Sequence, residues 1–161
     1  MERKNLGHMQ CPVARSLQHV GEWWSILILR DAFYGLKRFD EFEESLGIAP
    51  NMLTRRLKGL VASGLLERRK YSARPPRYEY VLTDMGRDFR PVVLSLLAWG
   101  NKHFAPEGTS VVLKNIKTGK VAVPILTDKI SGQEITSALF RVAAGPAADR
   151  AMRERIALQR G

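Results

Sequence analysis

The chain has 161 residues, about 45% of them apolar, enough for one ordinary domain with a core or for a smaller domain with an extension. A formal charge of +10 at pH 7 calls for a polyanionic partner, either nucleic acid or an anionic membrane surface. No apolar run approaches the ~20 residues of a bilayer-spanning helix, the N-terminus MERKNLGHMQCP has no apolar signal core, and a single cysteine excludes an intramolecular disulfide, so a membrane partner is disfavoured and the reducing cytoplasm is the expected location.

Residues 1 to 10 are polar and expected to be loose. From Cys11, the run CPVARSLQHVGEWWSILILRDAFYG predicts two helices divided near Gly21. Val13, Leu17 and Val20 give the first a narrow apolar stripe. Trp24, Ile26, Leu27, Ile28 and Leu29 make the second apolar nearly all round, the pattern of a helix buried on several sides. Gly35 to Arg38 form a turn from which Lys37 and Arg38 could touch a DNA backbone. A short helix follows over Phe39 to Leu46. Its acids Asp40, Glu41, Glu43 and Glu44 suit the helix dipole of its first turns, and Phe39, Phe42 and Leu46 mark an inward face, so it supports rather than reads. Gly47 ends it, and Ile48 plugs the angle to the next helix.

Residues 50 to 77 hold the charge surplus. They carry eight basic side chains, Arg55, Arg56, Lys58, Arg68, Arg69, Lys70, Arg74 and Arg77, against one acid, Glu67, whereas the segments on either side are close to neutral. Leu53, Leu57, Leu60 and Val61 recur at helical spacing and predict a buried face. Asn51, Thr54, Arg55 and Lys58 then face outward, a set of two cations, an amide and a hydroxyl that can donate to base edges and phosphates. Pro50 suits the first helical turn, where a missing N–H costs nothing. A charge run of this kind is in many proteins only a solvated face; its place on one side of a groove-sized helix argues for nucleic acid.

After Gly64, two runs of alternating aromatic and branched residues, Leu65 to Tyr71 and Arg77 to Leu82, predict a hairpin around Ser72 to Pro76. Arg74 and Arg77 flank its two prolines, placed to reach phosphates or a minor groove. Helix, turn, helix and hairpin together read as a helix-turn-helix with a wing. Thr83 is a predicted N-cap for a long helix running toward Phe104, with Phe89, Val92, Val93, Leu96 and Leu97 at helical spacing and Pro91 bending it without ending it. So long an apolar helix has little to cover in a small winged domain, and dimerisation is its expected use.

Ala105 to Gly108 mark a boundary, giving residues 1–104 as a DNA-binding and dimerisation domain and 105–161 as a C-terminal extension. Val111 to Ile116 and Val121 to Leu126 read as strands across the turn Lys117-Thr118-Gly119-Lys120. A second turn is centred on Ser131-Gly132, and a terminal helix is predicted over Ala147 to Gln159. The fold class is therefore mainly α with a small β wing, followed by a small α+β extension whose expected use is packing or dimer contact, with a ligand pocket between tail and core left open.

From Cys11 to about His103 the chain resembles the HxlR family of bacterial winged-helix transcription regulators, relatives of the MarR group. The resemblance rests on Cys11-Pro12-Val13, Gly21 with Trp24 and the Ile26 to Arg30 run, Arg38-Phe39, Leu53 to Leu60, Gly64-Leu65, Pro75-Pro76-Arg77, Glu79-Tyr80, Leu82-Thr83 with Gly86, and Trp99-Gly100, in that order. It implies homodimers joined through the first and last helices of the domain, the helix at 50–63 in the major groove, and a palindromic operator of double-stranded DNA. Trp23 stands where the family commonly has Lys or Arg and Tyr78 where Val is frequent, so no backbone contact is carried over to position 23. Some members use the cysteine before that proline as a redox or electrophile sensor. Cys11 matches it, just ahead of a helix start, where the reactive thiolate is favoured; a free cysteine is equally at home as a small apolar residue.

No metal spacing links His8, His19 and His103, no Walker or dinucleotide glycine motif occurs, and Lys117-Thr118-Gly119 lacks the serine nucleophile motif that would make it more than a turn. No cofactor or metal is expected. The reading is a non-enzymatic, cytoplasmic, nucleoid-associated, sequence-specific DNA-binding regulator, a repressor acting as a homodimer, open to a small-molecule or redox signal. Asn51, Thr54, Arg55 and Lys58 would enter the groove, with Arg38, Arg74 and Arg77 on flanking backbone. A winged protein-interaction module without DNA binding, or a ligand-binding or enzymatic tail, are the rivals.

Overall fold

A computed structural model describes residues 5–158, which fall into two compact units, one ending at Arg90 and the other beginning at Pro91. In the first, Cys11 in extended conformation precedes α1 (Pro12–Val20), with Pro12 in the first turn. Gly21 caps the end of α1, its N–H bonding Leu17 O at 2.8 Å, at a position where a Cβ would sit 2.3 Å from that oxygen. The expectation of a loose start falls for residues 1–4 outside the described residues. The part that follows is tied to α1 by Leu6 N, which donates to Gln18 Oε1 at 2.8 Å, and by Arg15 Nε, which donates to Met9 O at 2.6 Å.

Helix α2 (Trp23–Phe33) buries Ile28 and Leu29 completely, as its all-round apolar composition predicts. It also buries Asp31, at 1% exposure. A buried carboxylate must be paired and hydrogen-bonded, and Asp31 is both: Arg30 Nε donates to Oδ1 at 2.8 Å, and Ser45 Oγ donates to Oδ2 at 2.7 Å from α3 (Phe39–Leu46). Glu41 Oε2 accepts the N–H groups of Lys37 and Arg38 at 2.8 and 2.9 Å, satisfying donors at the start of α3. Gly47, at φ +58°, ends the helix in the left-handed conformation that glycine adopts without a Cβ penalty. Ile48, 4% exposed, then fills the corner before α4 (Pro50–Ala62).

Leu53, Leu57 and Leu60 of α4 join Phe42, Ile28 and Leu29 in one core. Each such side chain contributes about 1.5–3 kcal/mol by leaving water. The wing is the antiparallel pair β1 (Leu66–Ala73) and β2 (Pro76–Leu82). Both strands run further than the sequence pattern implied, and pairing continues to Ala73 and Pro76, so the connecting loop is only Arg74-Pro75. Tyr80 N donates to Lys37 O at 2.7 Å and Arg38 bridges to Glu79, which pins the outer edge of β2 to the turn before α3.

Thr83 caps the next helix as expected: its hydroxyl accepts from Gly86 N at 3.0 Å and donates to Gly64 O. The single long helix divides, however, into α5 (Asp84–Asp88) and α6 (Arg90–His103). Pro91 has no N–H to give to the Arg87 carbonyl, and the turn tightens two residues earlier, where Phe89 N bonds Gly86 O at 3.2 Å.

In the second unit, α6 is followed by β3 (Leu113–Lys114) and β4 (Val121–Ala122), a ladder of two residue pairs where six-residue strands were expected. Pro124 cannot donate to a ladder, and an isolated hairpin has little to hold it in water. The terminal helix α7 (Arg150–Ala157) begins three residues later than expected because Asp149 caps it, accepting Met152 N at 2.8 Å; Gln159, its expected end, lies outside the described residues. Among the described residues no helix is long and apolar enough to cross a membrane.

Candidate nucleic-acid interface

Helix α4 sorts its side chains by period. Leu53 and Leu57 are 0% exposed and Leu60 is 1% exposed, while Asn51, Thr54, Arg55 and Lys58, on the opposite arc, are all exposed. The Asn51 amide oxygen accepts Met52 N at 2.7 Å, which leaves its amide nitrogen as the group with donors to give. No acidic residue precedes this face within the helix to offset its cations.

The eight cations between 50 and 77 divide into two classes. Arg55, Lys58, Lys70, Arg74 and Arg77 are exposed and form no ion pair among the described residues. Arg74 is at the tip of the wing, and Arg77 stands opposite Ser72. The other three are engaged inside the protomer. Arg69 lies 2.9 Å from Glu67, holding that carboxyl below its usual range through the hydrogen bond. Arg68 stacks on Tyr78, its guanidinium carbon 3.6 Å from the ring centroid.

Arg56 is the case that charge counting misplaced. Its side chain is 13% exposed and its guanidinium lies 2.9 Å from Glu22 Oε2, at the start of α2. Its Nε is buried with no hydrogen-bond partner. The signal was available: Arg56 follows Leu53 by three residues and precedes Leu60 by four, so it sits at the margin of the buried arc rather than on the open one.

Arg38 is exposed, but it is committed to the start of α3. Its guanidinium is 2.9 Å from Asp40 and 3.6 Å from Glu41. The hydrogen bond to Asp40 and that residue's charge raise the Arg38 pKa, and the same bond lowers that of Asp40. Cys11 is half-buried at the head of α1, away from the cationic set in sequence, and is the single cysteine. His19 Nδ1 is 2.9 Å from Ser63 Oγ, and the His103 ring tilts against Trp99 at 5.9 Å, so both have packing partners.

A β-bulge at Tyr71 shapes the wing. Before it, Arg68 and Lys70 pair with Tyr80 and Tyr78; after it, Ser72 pairs with Arg77. One inserted residue reverses the alternation of side chains. Arg77 and Ser72 therefore occupy the opposite face from Arg68, Lys70 and the two tyrosines.

With this geometry in view, residues 19–108 match the family model described as HxlR-like helix-turn-helix. An uncharacterized HTH-type transcriptional regulator of Mycobacterium tuberculosis is 41% identical over 135 residues, 83% of this chain and 85% of that one. A solved protein of Pseudomonas aeruginosa, described as a candidate transcription factor, is 54% identical over 90% of this chain and 99% of its own, with a TM-score of 0.65. The redox regulator HypR in its reduced form is 36% identical, with a TM-score of 0.54 over 57% of this chain and 92% of its own.

Proposed function

The chain belongs to the HxlR-like helix-turn-helix family of transcription regulators, and from that membership we propose that it is a repressor that binds a palindromic operator as a homodimer in the cytoplasm. The observation that carries this reading is the sorting of α4, whose cationic and amide side chains are exposed while its leucines are fully buried. Arg55 reads a base edge, with Asn51, Thr54 and Lys58 donating to neighbouring bases and phosphates in the major groove. Arg74 and Arg77 hold the wing on flanking backbone. Arg38 contributes least to backbone binding, because Asp40 and Glu41 already offset its charge.

Dimerisation is supported by two apolar stripes that the protomer leaves open: Val13 and Leu17 on α1, at 67% and 44% exposure, and Val92, Leu96 and Trp99 on α6. In this reading the two α4 helices of a dimer meet half-sites about 34 Å apart, one duplex turn, and occupancy of that site excludes polymerase. The test is a binding series on upstream intergenic DNA. For six to ten phosphate contacts, log affinity against log salt has a slope of about −5 to −9. A slope near zero, or equal affinity for random duplex, sinks the reading. Arg55→Ala should reduce discrimination by roughly 1–3 kcal/mol, whereas Arg74→Ala should weaken all sequences alike.

A second reading concerns Cys11. It stands directly before the α1 stripe that the dimer would use, so oxidation there would change the pairing of protomers. With one cysteine, the products are an intersubunit disulfide or a mixed disulfide with a small thiol. Operator affinity before and after diamide treatment decides it, with Cys11→Ser as control; equal affinity in both proteins ends the idea.

A further inference from the structure

The tail holds a pair of turns built to one plan. At the first, Asn115 Oδ1 accepts the N–H groups of Lys117 and Thr118 at 2.9 and 3.0 Å, Gly119 N bonds Asn115 O, and Asn115 N bonds Lys120 O. At the second, Asp128 accepts Ile130 N at 3.3 Å and Ser131 N at 2.9 Å, Gly132 N bonds Asp128 O, and Asp128 N bonds Gln133 O. The closing glycines match, at φ +70° and +71°. Hydrogen bonds to Ser131 hold the Asp128 carboxyl below its usual range.

Each rigid turn carries an isoleucine with no cover. Ile116 is 101% exposed and Ile130 is 97% exposed. No described residue from Pro91 onward is buried, although Val121, Val123, Ile125, Leu126, Leu139 and Val142 all lie there. A side chain of that kind presented on a pre-set turn loses little further freedom when it docks.

The amount of open surface identifies the cover. The protomer exposes 12501 Å², whereas a folded monomer of 18.2 kDa exposes about 8,100 Å². Domains of one chain bury at most ~1,500 Å² against each other, which leaves roughly 2,900 Å² of the excess unaccounted for. An obligate dimer buries about 2,000–5,000 Å² in total, or about 1,000–2,500 Å² on each partner, so a second copy covers most of that area. The open surface is also continuous with the α6 stripe: a groove of about 510 Å³ runs between Leu97 and Trp99 of α6 and Val112, Val121 and Pro124 of the tail, and Asn101 Nδ2 donates to Val111 O at 2.9 Å across its end.

We propose that residues 105–158 form a dimerisation arm, whose two turns seat Ile116 and Ile130 on apolar surface of a second copy of this chain. This rests on the homodimer reading and extends it to the tail. Lys117 and Lys129 adjoin the two isoleucines, so lysine cross-linking of ¹⁴N and ¹⁵N chains refolded together reports what lies beside them. Links at Lys117 and Lys129 that join light to heavy chains are expected, and links confined to one isotope overturn the arm in favour of cover by the same chain. In sedimentation, the double variant Ile116→Glu, Ile130→Glu should raise the dimer dissociation constant at least tenfold with the melting of the winged domain unchanged. A variant dimer as tight as wild type sinks the arm and leaves the homodimer standing, provided Val13→Glu still dissociates it. A wild-type protein that is monomeric at ~10 µM sinks both.

Discussion

Arg56→Met separates a cation that braces the fold from cations that meet phosphate. Methionine keeps the unbranched bulk of the side chain and its helix preference, and removes the charge that lies 2.9 Å from Glu22. Breaking a fully buried pair costs about 3–5 kcal/mol and an exposed one about 0.2–1. With Arg56 13% and Glu22 34% exposed, the loss falls between, at about 1–2 kcal/mol. The substitution also removes the buried Nε that has no acceptor, a relief of about 1 kcal/mol. The net loss is therefore about 1 kcal/mol or less, a fall of up to ~8 °C in melting temperature for a domain of this size. The decisive assay is anisotropy of a labelled operator duplex over a salt series. Lys58→Ala should flatten the log–log slope by about 0.9 per lost phosphate contact, or ~1.8 for a dimer carrying the residue twice. Arg56→Met should leave the slope unchanged. A slope flattened as much by Arg56→Met as by Lys58→Ala would refute the inward placement.

Leu57, fully buried in α4, should cost about 2–5 kcal/mol when replaced by alanine, read as a lower urea midpoint at constant m-value. Two glycines should respond in opposite directions. A Cβ at Gly86 would lie 2.0 Å from Leu65 O, so Gly86→Ala should destabilise by roughly 1–3 kcal/mol. One at Gly59 meets nothing within 4 Å, so Gly59→Ala should stabilise the free protein by up to ~1 kcal/mol in the same titration. The Glu41 carboxyl is held below its usual value of 4.5, chiefly by the N–H groups of Lys37 and Arg38. Its contribution to stability is therefore complete above about pH 4.5 and is lost as pH falls through the lowered folded value. Acid unfolding of Glu41→Gln should lack that share of the pH dependence; identical wild-type and variant profiles would show that the bonds contribute nothing.

The helical part of the winged unit was legible because its signals are local. The leucine period of α4, the glycine after α3, and Thr83 ahead of α5 each act within one or two turns of chain. What stayed hidden depended on distant partners. Arg56 meets Glu22 across 34 positions, and nothing near either residue names the other. The break at Phe89 was half visible: Pro91 announced a disturbance, but the tightened bond to Gly86 placed it two residues earlier. In the tail, composition predicted the turns correctly and the strands too generously. Turns are held by Asn115 and Asp128 through neighbours in sequence, whereas ladder length depends on a covering surface that sequence alone does not describe. For the interface, the wheel of α4 correctly separated buried from open side chains, but counting charges could not distinguish Arg68, Arg69 and Arg56, already occupied, from the five that are not.

The extra residue at Tyr71 also constrains how this hairpin can be re-engineered or diversify. Above the bulge, the β1 side of the tip, from Ser72 on, is out of phase with the base of that strand, so length changes there obey a parity rule. Adding or removing residues of β1 in twos preserves the side on which Ser72 meets Arg77, while a change of one turns Ser72 to the other side. Arg77 keeps its own side, because β2 alternates without a break from Arg77 to Leu82. A foreign tip grafted onto this frame must therefore bring its own offset, or carry its charges to the wrong side of an otherwise intact hairpin.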